Sequence, residues 1–191
     1  NAVQAVEFDA FMQAAIQEER WALKIPGAPT AAVLNFLLEP AEHPRSEVRM
    51  PVEKALETLR DPEAHSQGKK SAERVLALES IAGVGDAEAG AVAAQLESIL
   101  ADQNFWVRWN GVEALGLLGS RAEQAVPALI RELRKEHVYF QRHVMNTLGQ
   151  IGPKAHTAVP VLISFLQHKE SYERMLAAQT LGSIGPAAHE A

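Results

Sequence analysis

The sequence predicts an all-α fold, an α-solenoid (superhelix) built from antiparallel helix pairs. Three observations carry that prediction. A glycine signature recurs at a near-constant period, apolar residues repeat in register with it at helical spacing, and prolines stand where the second helix of a pair would open.

The signature occurs four times, as Ile81-Ala82-Gly83-Val84-Gly85, Leu115-Gly116-Leu117-Leu118-Gly119, Leu148-Gly149-Gln150-Ile151-Gly152 and Leu181-Gly182-Ser183-Ile184-Gly185. Its final glycines are separated by 34, 33 and 33 residues, and ten of the twelve glycines fall after residue 70, so the period is a property of that part of the chain. A fixed period of this length marks a stacked repeat.

Seven residues past the final glycine stand Val92, Val126 and Val159; eleven past it, Leu96, Ile130 and Ile163; fourteen past it, Ile99, Leu133 and Leu166. Offsets of seven, eleven and fourteen keep one helical face, so these residues form the expected core stripe of a second helix. Arg74, Arg108 and Arg174 align upstream, with Gln141 in the third copy. Each unit therefore reads as a first helix, a glycine turn and a second helix. The last glycine suits a helix stop because it tolerates the left-handed conformation. The preceding glycine of Leu-Gly-x-x-Gly lets neighbouring helices approach. Pro127 and Pro160 belong in the first turn of the second helix, where a missing N–H costs little. Neither helix can bury its apolar stripe alone, so the pairs must stack.

These residues resemble HEAT repeats of the bacterial type first named for phycobilisome lyases. The motifs carrying the resemblance are Leu148-Gly149-Gln150-Ile151-Gly152-Pro153, Val159-Pro160-Val161-Leu162-Ile163, and an aromatic before the Val-Arg position, Trp106-Val107-Arg108 with Tyr139 and Tyr172 in register. The resemblance covers residues 71–191 and implies a HEAT/armadillo-like solenoid. Units are expected at about 71–105, 106–138 and 139–171, with a half repeat at 172–191. Repetition favours a packing role for the Trp106, Tyr139 and Tyr172 ladder at the start of each first helix.

Residues 1–70 read as degenerate helical repeats or an N-terminal cap. Phe8, Phe11, Met12 and Ile16 mark one amphipathic helix, Val33-Leu34-Asn35-Phe36-Leu37 matches a second helix, and Val48-Arg49 through Ala55-Leu56 matches a first helix. Asp61–Lys70 reads as a loop. At the other end, Gly185-Pro186-Ala187-Ala188-His189 parallels Gly152-Pro153-Lys154-Ala155-His156, without a following second helix. The chain is thus expected to be part of a longer protein, with Leu181 and Ile184 partly uncovered and open to association through the uncapped repeat.

Composition removes several function classes. The chain has no cysteine, which excludes disulfides, thiolate metal sites and cysteine nucleophiles. No apolar run reaches the length of a membrane span, so membrane insertion is not expected; the compartment stays open between cytoplasm and periplasm. The net charge is −6, and residues 1–70 and 71–191 carry 8 basic against 11 acidic and 10 against 13. No basic domain stands out, which argues against nucleic acid as partner.

The sequence yields no catalytic, cofactor-binding or metal-binding residues. The seven histidines show no His-x-x-x-His pair. His156 and His189 are repeat equivalents, and helical layers about 8–10 Å apart are too wide for ligands about 2 Å from a shared ion. The Gly-x-x-Gly turns lack a following Lys-Ser/Thr, and Gly-x-Ser-x-Gly is absent. The expected function is therefore a non-catalytic protein–protein interaction or scaffolding module, an accessory region of a larger bacterial protein. The resemblance implies two alternatives, a phycobilin lyase-type subunit acting on tetrapyrroles and a nucleic-acid-binding HEAT array. The expected partner face is a row on the second helices: Glu97, Arg131 and Ser164 one past the stripe, then Arg134 and Gln167, then Lys135 and His168. Arg131, Arg134 and Lys135 would favour an acidic partner there.

Overall fold

The computed structural model describes residues 50–64, 69–135 and 137–186. The chain divides into two units, Asn1–Val48 and Arg49–Ala191, and the described residues all lie in the second. The helices expected around Phe8–Ile16 and Val33–Leu37, together with Val48-Arg49 and His189, fall outside the described residues.

Among the described residues the secondary structure is helical, without a strand. The elements are α1 (Val52–Leu59), α2 (Lys69–Ala82), α3 (Asp86–Leu100), α4 (Phe105–Leu118), α5 (Val126–Leu133), α6 (Val138–Ile151), α7 (Val159–Phe165) and α8 (Ser171–Ile184). Helices α2, α4, α6 and α8 are the first helices of successive units; α3, α5 and α7 are the second. Each first helix packs on the first helix of the next unit, and α5 and α7 also pack on the helix that follows them. The result is two layers, as expected for an α-solenoid. The expected loop at Asp61–Lys70 is a turn at 62–64, and α2 takes up its last two residues.

The glycine turns are more ordered than the sequence implies. After α4 and α6 the chain enters a 3-10 segment, Gly119–Ala125 and Gly152–Ala158, before the second helix opens at Val126 and Val159. Pro127 and Pro160 sit in the first turn, as their missing N–H requires. Gly119, Gly152 and Gly185 have φ of 57°, 68° and 74°, the left-handed region that a side chain resists. Gly85 departs from this pattern: its backbone is extended at φ −71°, and it caps the N-terminus of α3.

That departure corrects the core register. Ala89, Val92, Ala93, Leu96 and Leu100 of the first unit are all buried, as are Ala122, Ala125, Val126, Leu129 and Leu133 at a spacing of 33. Ala155, Ala158, Val159 and Leu162 repeat the set. At the ends of the first helices, Leu118, Ile151 and Ile184, with Val84 just past the end of α2, are the buried equivalents, at 34 and then 33. The first unit therefore holds one more residue between Val84 and Ala89 than the later units hold between Leu118 and Ala122 or Ile151 and Ala155, and counting from Gly85 slips its second helix by one position. The partners of Leu96 are Leu129 and Leu162. Ile130 is half-buried and Ile163 is 41% exposed, against the expected core role. Leu166 is half-buried at the end of α7, where the shorter helix gives its place to Phe165.

The end of the stack also differs from expectation. Ile184 is fully buried, at the end of an α8 that packs on α6, α7 and the second 3-10 segment; Leu181 alone of the pair keeps partial exposure.

Repeat-specific hydrogen bonds explain Arg108, Gln141 and Arg174 of the column, whereas Arg74 pairs with Glu113. Arg108 donates to the carbonyls of Asp102 and Gln103 at 2.9 Å, and Arg174 to those of His168 and Lys169 at 2.7 and 2.8 Å. Gln141 takes over in the third copy, donating to Leu133 and Lys135 at 2.9 and 2.8 Å. Each side chain satisfies carbonyls in the loop that delivers its helix.

Two substitutions test this packing. Leu148, fully buried, should lose about 2–5 kcal/mol of stability as Leu148→Ala. At Gly152 a β-branched residue must adopt positive φ, so Gly152→Val should cost on the order of 1–3 kcal/mol. Thermal or denaturant melts read both, and an unchanged midpoint for Leu148→Ala would place that residue outside the core.

Candidate functional site: a groove on the first-helix layer

Helices α4, α6 and α8 run side by side and leave a groove of about 500 Å³ between them. Its walls follow the repeat. Glu113, Asn146 and Gln179 occupy one position at a spacing of 33, and Leu117, Gln150 and Ser183 the next, one turn on. His143 and Leu176 share a third position, and Thr147 and Thr180 form the floor.

The floor is low because small residues build it. A Cβ at Gly116 would lie 3.2 Å from the Thr147 hydroxyl oxygen and overlap the Gln150 amide; one at Gly149 would lie 3.7 Å from the Ser183 Oγ. The Thr147 hydroxyl donates to the Val112 carbonyl of α4 at 3.2 Å, and the Thr180 hydroxyl lies 2.9 Å from the Leu176 carbonyl of its own helix and 3.2 Å from the Met145 carbonyl of α6. Both hydroxyls are engaged by backbone carbonyls. The side chains of Asn146, Gln150 and Gln179 make no hydrogen bond among the described residues.

The groove carries little net charge. Arg74 holds Glu113 at 2.7 Å. At one end Arg142 binds the fully buried Glu173 at 2.5 Å and lies between the rings of Tyr139 and Tyr172, 5.2 and 4.5 Å from their centroids. The recurring tyrosines thus pack around a cation, and Trp106 packs edge-on to Phe105. His143 stacks on Trp109 at 4.1 Å. Burial lowers its pKa to about 4; a hydrogen bond to the Trp109 backbone opposes this only in part, and the Arg74 charge adds to it. The ring is neutral at pH 7.

The residues expected on the second helices lie elsewhere, and none lines the groove. Arg131 is exposed and reaches Glu97 at 3.4 Å, a pair that joins successive second helices. Lys135 binds the buried carboxylate of Glu132 at 2.6 Å. The Ser164 hydroxyl donates to the Val161 carbonyl at 2.6 Å. Arg134 and Gln167 are exposed, while His168 is half-buried against Phe165. Of the cations Arg131, Arg134 and Lys135, the first and the last are already engaged. The signal that marks the groove was present in the first helices: positions such as Glu113/Asn146/Gln179 vary between copies while the neighbouring core positions agree.

Among the described residues no three His, Asp or Glu side chains gather as metal ligands, and no helix is long and apolar enough to cross a membrane.

A two-layered stack with this signature defines a helical-repeat protein. The HEAT repeats family matches residues 126–191, and the PBS lyase HEAT-like repeat family matches residues 107–135. Residues 107–191 therefore carry HEAT-like repeats. Among solved structures, the crystal structure of an engineered protein from the Northeast Structural Genomics Consortium is similar over 72% of this chain and 68% of that one, at 21% identity and a TM-score of 0.48. None of the curated proteins matches the sequence. HEAT repeats of this kind form a scaffold or interaction module.

The His143 environment sets a pH dependence. Its folded pKa lies below the unfolded value of 6.5, so the unfolded chain binds the extra proton between about pH 6.5 and 4. The stabilisation is complete above that window and is lost as pH falls through it, by on the order of 2–3 kcal/mol. His143→Phe keeps the stack on Trp109 without the titration. Melts at pH 7 and pH 4.5 should show a smaller acid loss for the variant, and equal losses in the two proteins would contradict the assignment.

Proposed function

We propose that the chain is a non-catalytic protein–protein interaction module whose partner seats in the groove of α4, α6 and α8. The carrying observation is that the groove residues change from copy to copy while the framework beneath them repeats. Packing specifies one set and leaves the other free for recognition, and stacked repeats present such faces as continuous surfaces. Glu113, the charged carboxylate of its lining, is already paired with Arg74, which supports a partner read by hydrogen bonds and shape. A partner at Arg131 and Arg134 would instead bind through charge and weaken steeply with salt.

The test compares the two faces in a pull-down from the native source. Leu117→Arg with Gln179→Arg should release a captured protein while leaving helix content unchanged, and capture by the parent should vary little with salt. Charge reversal at Arg131 and Arg134 should leave capture intact. The reverse pattern, release on charge reversal with retention by the groove variant, moves the partner to the second-helix face.

A further inference from the structure

We infer that the groove binds a neutral, hydroxyl-rich ligand, a sugar, and anchors one of its hydroxyl groups between His143 and Arg74. The inference rests on the groove being the partner face and names the chemistry that it reads, the sugar being free or carried by the partner protein.

Two buried polar atoms carry the anchor, His143 Nε2 and Arg74 Nε, neither of which has a hydrogen-bond partner among the described residues. The hydrogen bond to the Trp109 backbone occupies the other ring nitrogen of His143, so Nε2 of the neutral ring is a bare acceptor. Arg74 Nε carries a proton to donate. Its guanidinium stands near enough to act on the charge of His143, and it holds Glu113 at 2.7 Å through Nη1. A buried donor or acceptor is costly to leave unpaired. A hydroxyl donates and accepts at a single oxygen and so answers both atoms. His143 and Glu113 border the groove, which is the space from which such a hydroxyl enters.

The rest of the lining sets the ligand class. It contains no Lys or Arg, so a phosphate or a carboxylate finds no counter-charge there. Its one carboxylate, Glu113, is already neutralised by Arg74, so a cation gains little. Polar side chains outnumber apolar ones, and an apolar ligand would strand them. Asn146 on α6 and Gln179 on α8 are exposed, one on each side, and their amides make no hydrogen bond among the described residues. An amide offers an acceptor and two donors in one plane, which suits two adjacent hydroxyls of a sugar ring. The volume of about 500 Å³ is that of a small-molecule site.

Other unpaired polar atoms do not repeat this arrangement. Arg108 Nε and Glu132 Oε2 lie 3.9 Å apart and offset each other's charge. Glu173 leaves Oε2 unpaired but is held by Arg142 through Oε1. Only at His143 and Arg74 do an unpaired acceptor and an unpaired donor stand beside the groove lining.

The probes are glucose, galactose, N-acetylglucosamine and their disaccharides, titrated against the whole chain by ligand-observed NMR. The variants are His143→Phe, which keeps the ring stack and loses the acceptor, and Arg74→Lys, which keeps the charge and loses Nε; circular dichroism confirms the fold. We expect at least one sugar to bind, and each variant to weaken it about tenfold, the loss of one hydrogen bond to a buried group. The analogue lacking the anchored hydroxyl should bind the parent about tenfold more weakly and lose nothing further on His143→Phe, a coupling that a merely structural role would not produce. Release of the captured partner by the free sugar would place the sugar on the partner, and a sugar that binds without releasing it would be the free ligand. A sugar that binds the parent and His143→Phe alike would overturn the anchor. If no sugar binds while Leu117→Arg with Gln179→Arg still releases the partner, the sugar reading fails and the groove remains the partner face. If that variant also retains the partner, both fail.

Discussion

At Gly116 no side chain separates α4 from α6: a Cβ there would run into the Gln150 amide and touch the Thr147 hydroxyl. One unit later Gly149 gives the same freedom against Ser183, and the glycines that close the signature face the carbonyls of Gln150 and Ser183. This close approach governs the rest of the stack. It brings Thr147 and Thr180 within hydrogen-bonding distance of carbonyls on the preceding helix, so the first helices are joined by polar as well as apolar contacts. It also needs the chain to reverse at once, which the left-handed Gly119, Gly152 and Gly185 permit. The groove is a by-product of the same constraint, because a floor of Gly and Thr lies below walls of Asn, Gln, Ser and Leu.

Where the repeat breaks its own rule, another interaction fills in. Gly85 keeps an extended backbone, and the carbonyls of Ala82 and Val84 are taken by the Arg121 guanidinium from the next unit. At the position of Val107 and Phe140 the fourth copy carries Glu173, fully buried. A lone buried carboxylate would be costly, and Arg142 neutralises it from the neighbouring helix while sitting between two tyrosines. Such a pair need not add stability over an apolar residue, but removing one partner leaves the other charge stranded. It ties α6 to α8 and accepts no other register.

Much of this was legible beforehand because it depends on local backbone demands. Glycine at a left-handed stop and proline in a first turn are written in single residues, and they placed the ends of α4 and α6 and the starts of α5 and α7. The slip in the first unit was not legible, since one additional residue between Val84 and Ala89 changes which face of α3 is inward without changing its apolar composition. The 3-10 segments were hidden for a related reason: Ala122, Ala125, Ala155 and Ala158 pack inward on a geometry that no helical period announces. The groove has no charge cluster to mark it in the sequence, whereas Arg131 and Lys135 stand out by their charge on the second helix. Their ion pairs with Glu97 and Glu132 are tertiary facts.

The packing of first helix on first helix can be measured directly, because the chain has no cysteine of its own. A Cβ at Gly149 lies 3.8 Å from that of Ser183, within the roughly 3.5–4.5 Å that a disulfide spans. Under mild oxidation the Gly149→Cys/Ser183→Cys chain should lose both free thiols as a monomer, while Gly149→Cys/Gln179→Cys, displaced by one turn, should keep them. Thiols that persist in the first pair while the second oxidises would mean that α6 and α8 meet in another register, and the groove built on that register would not exist as described.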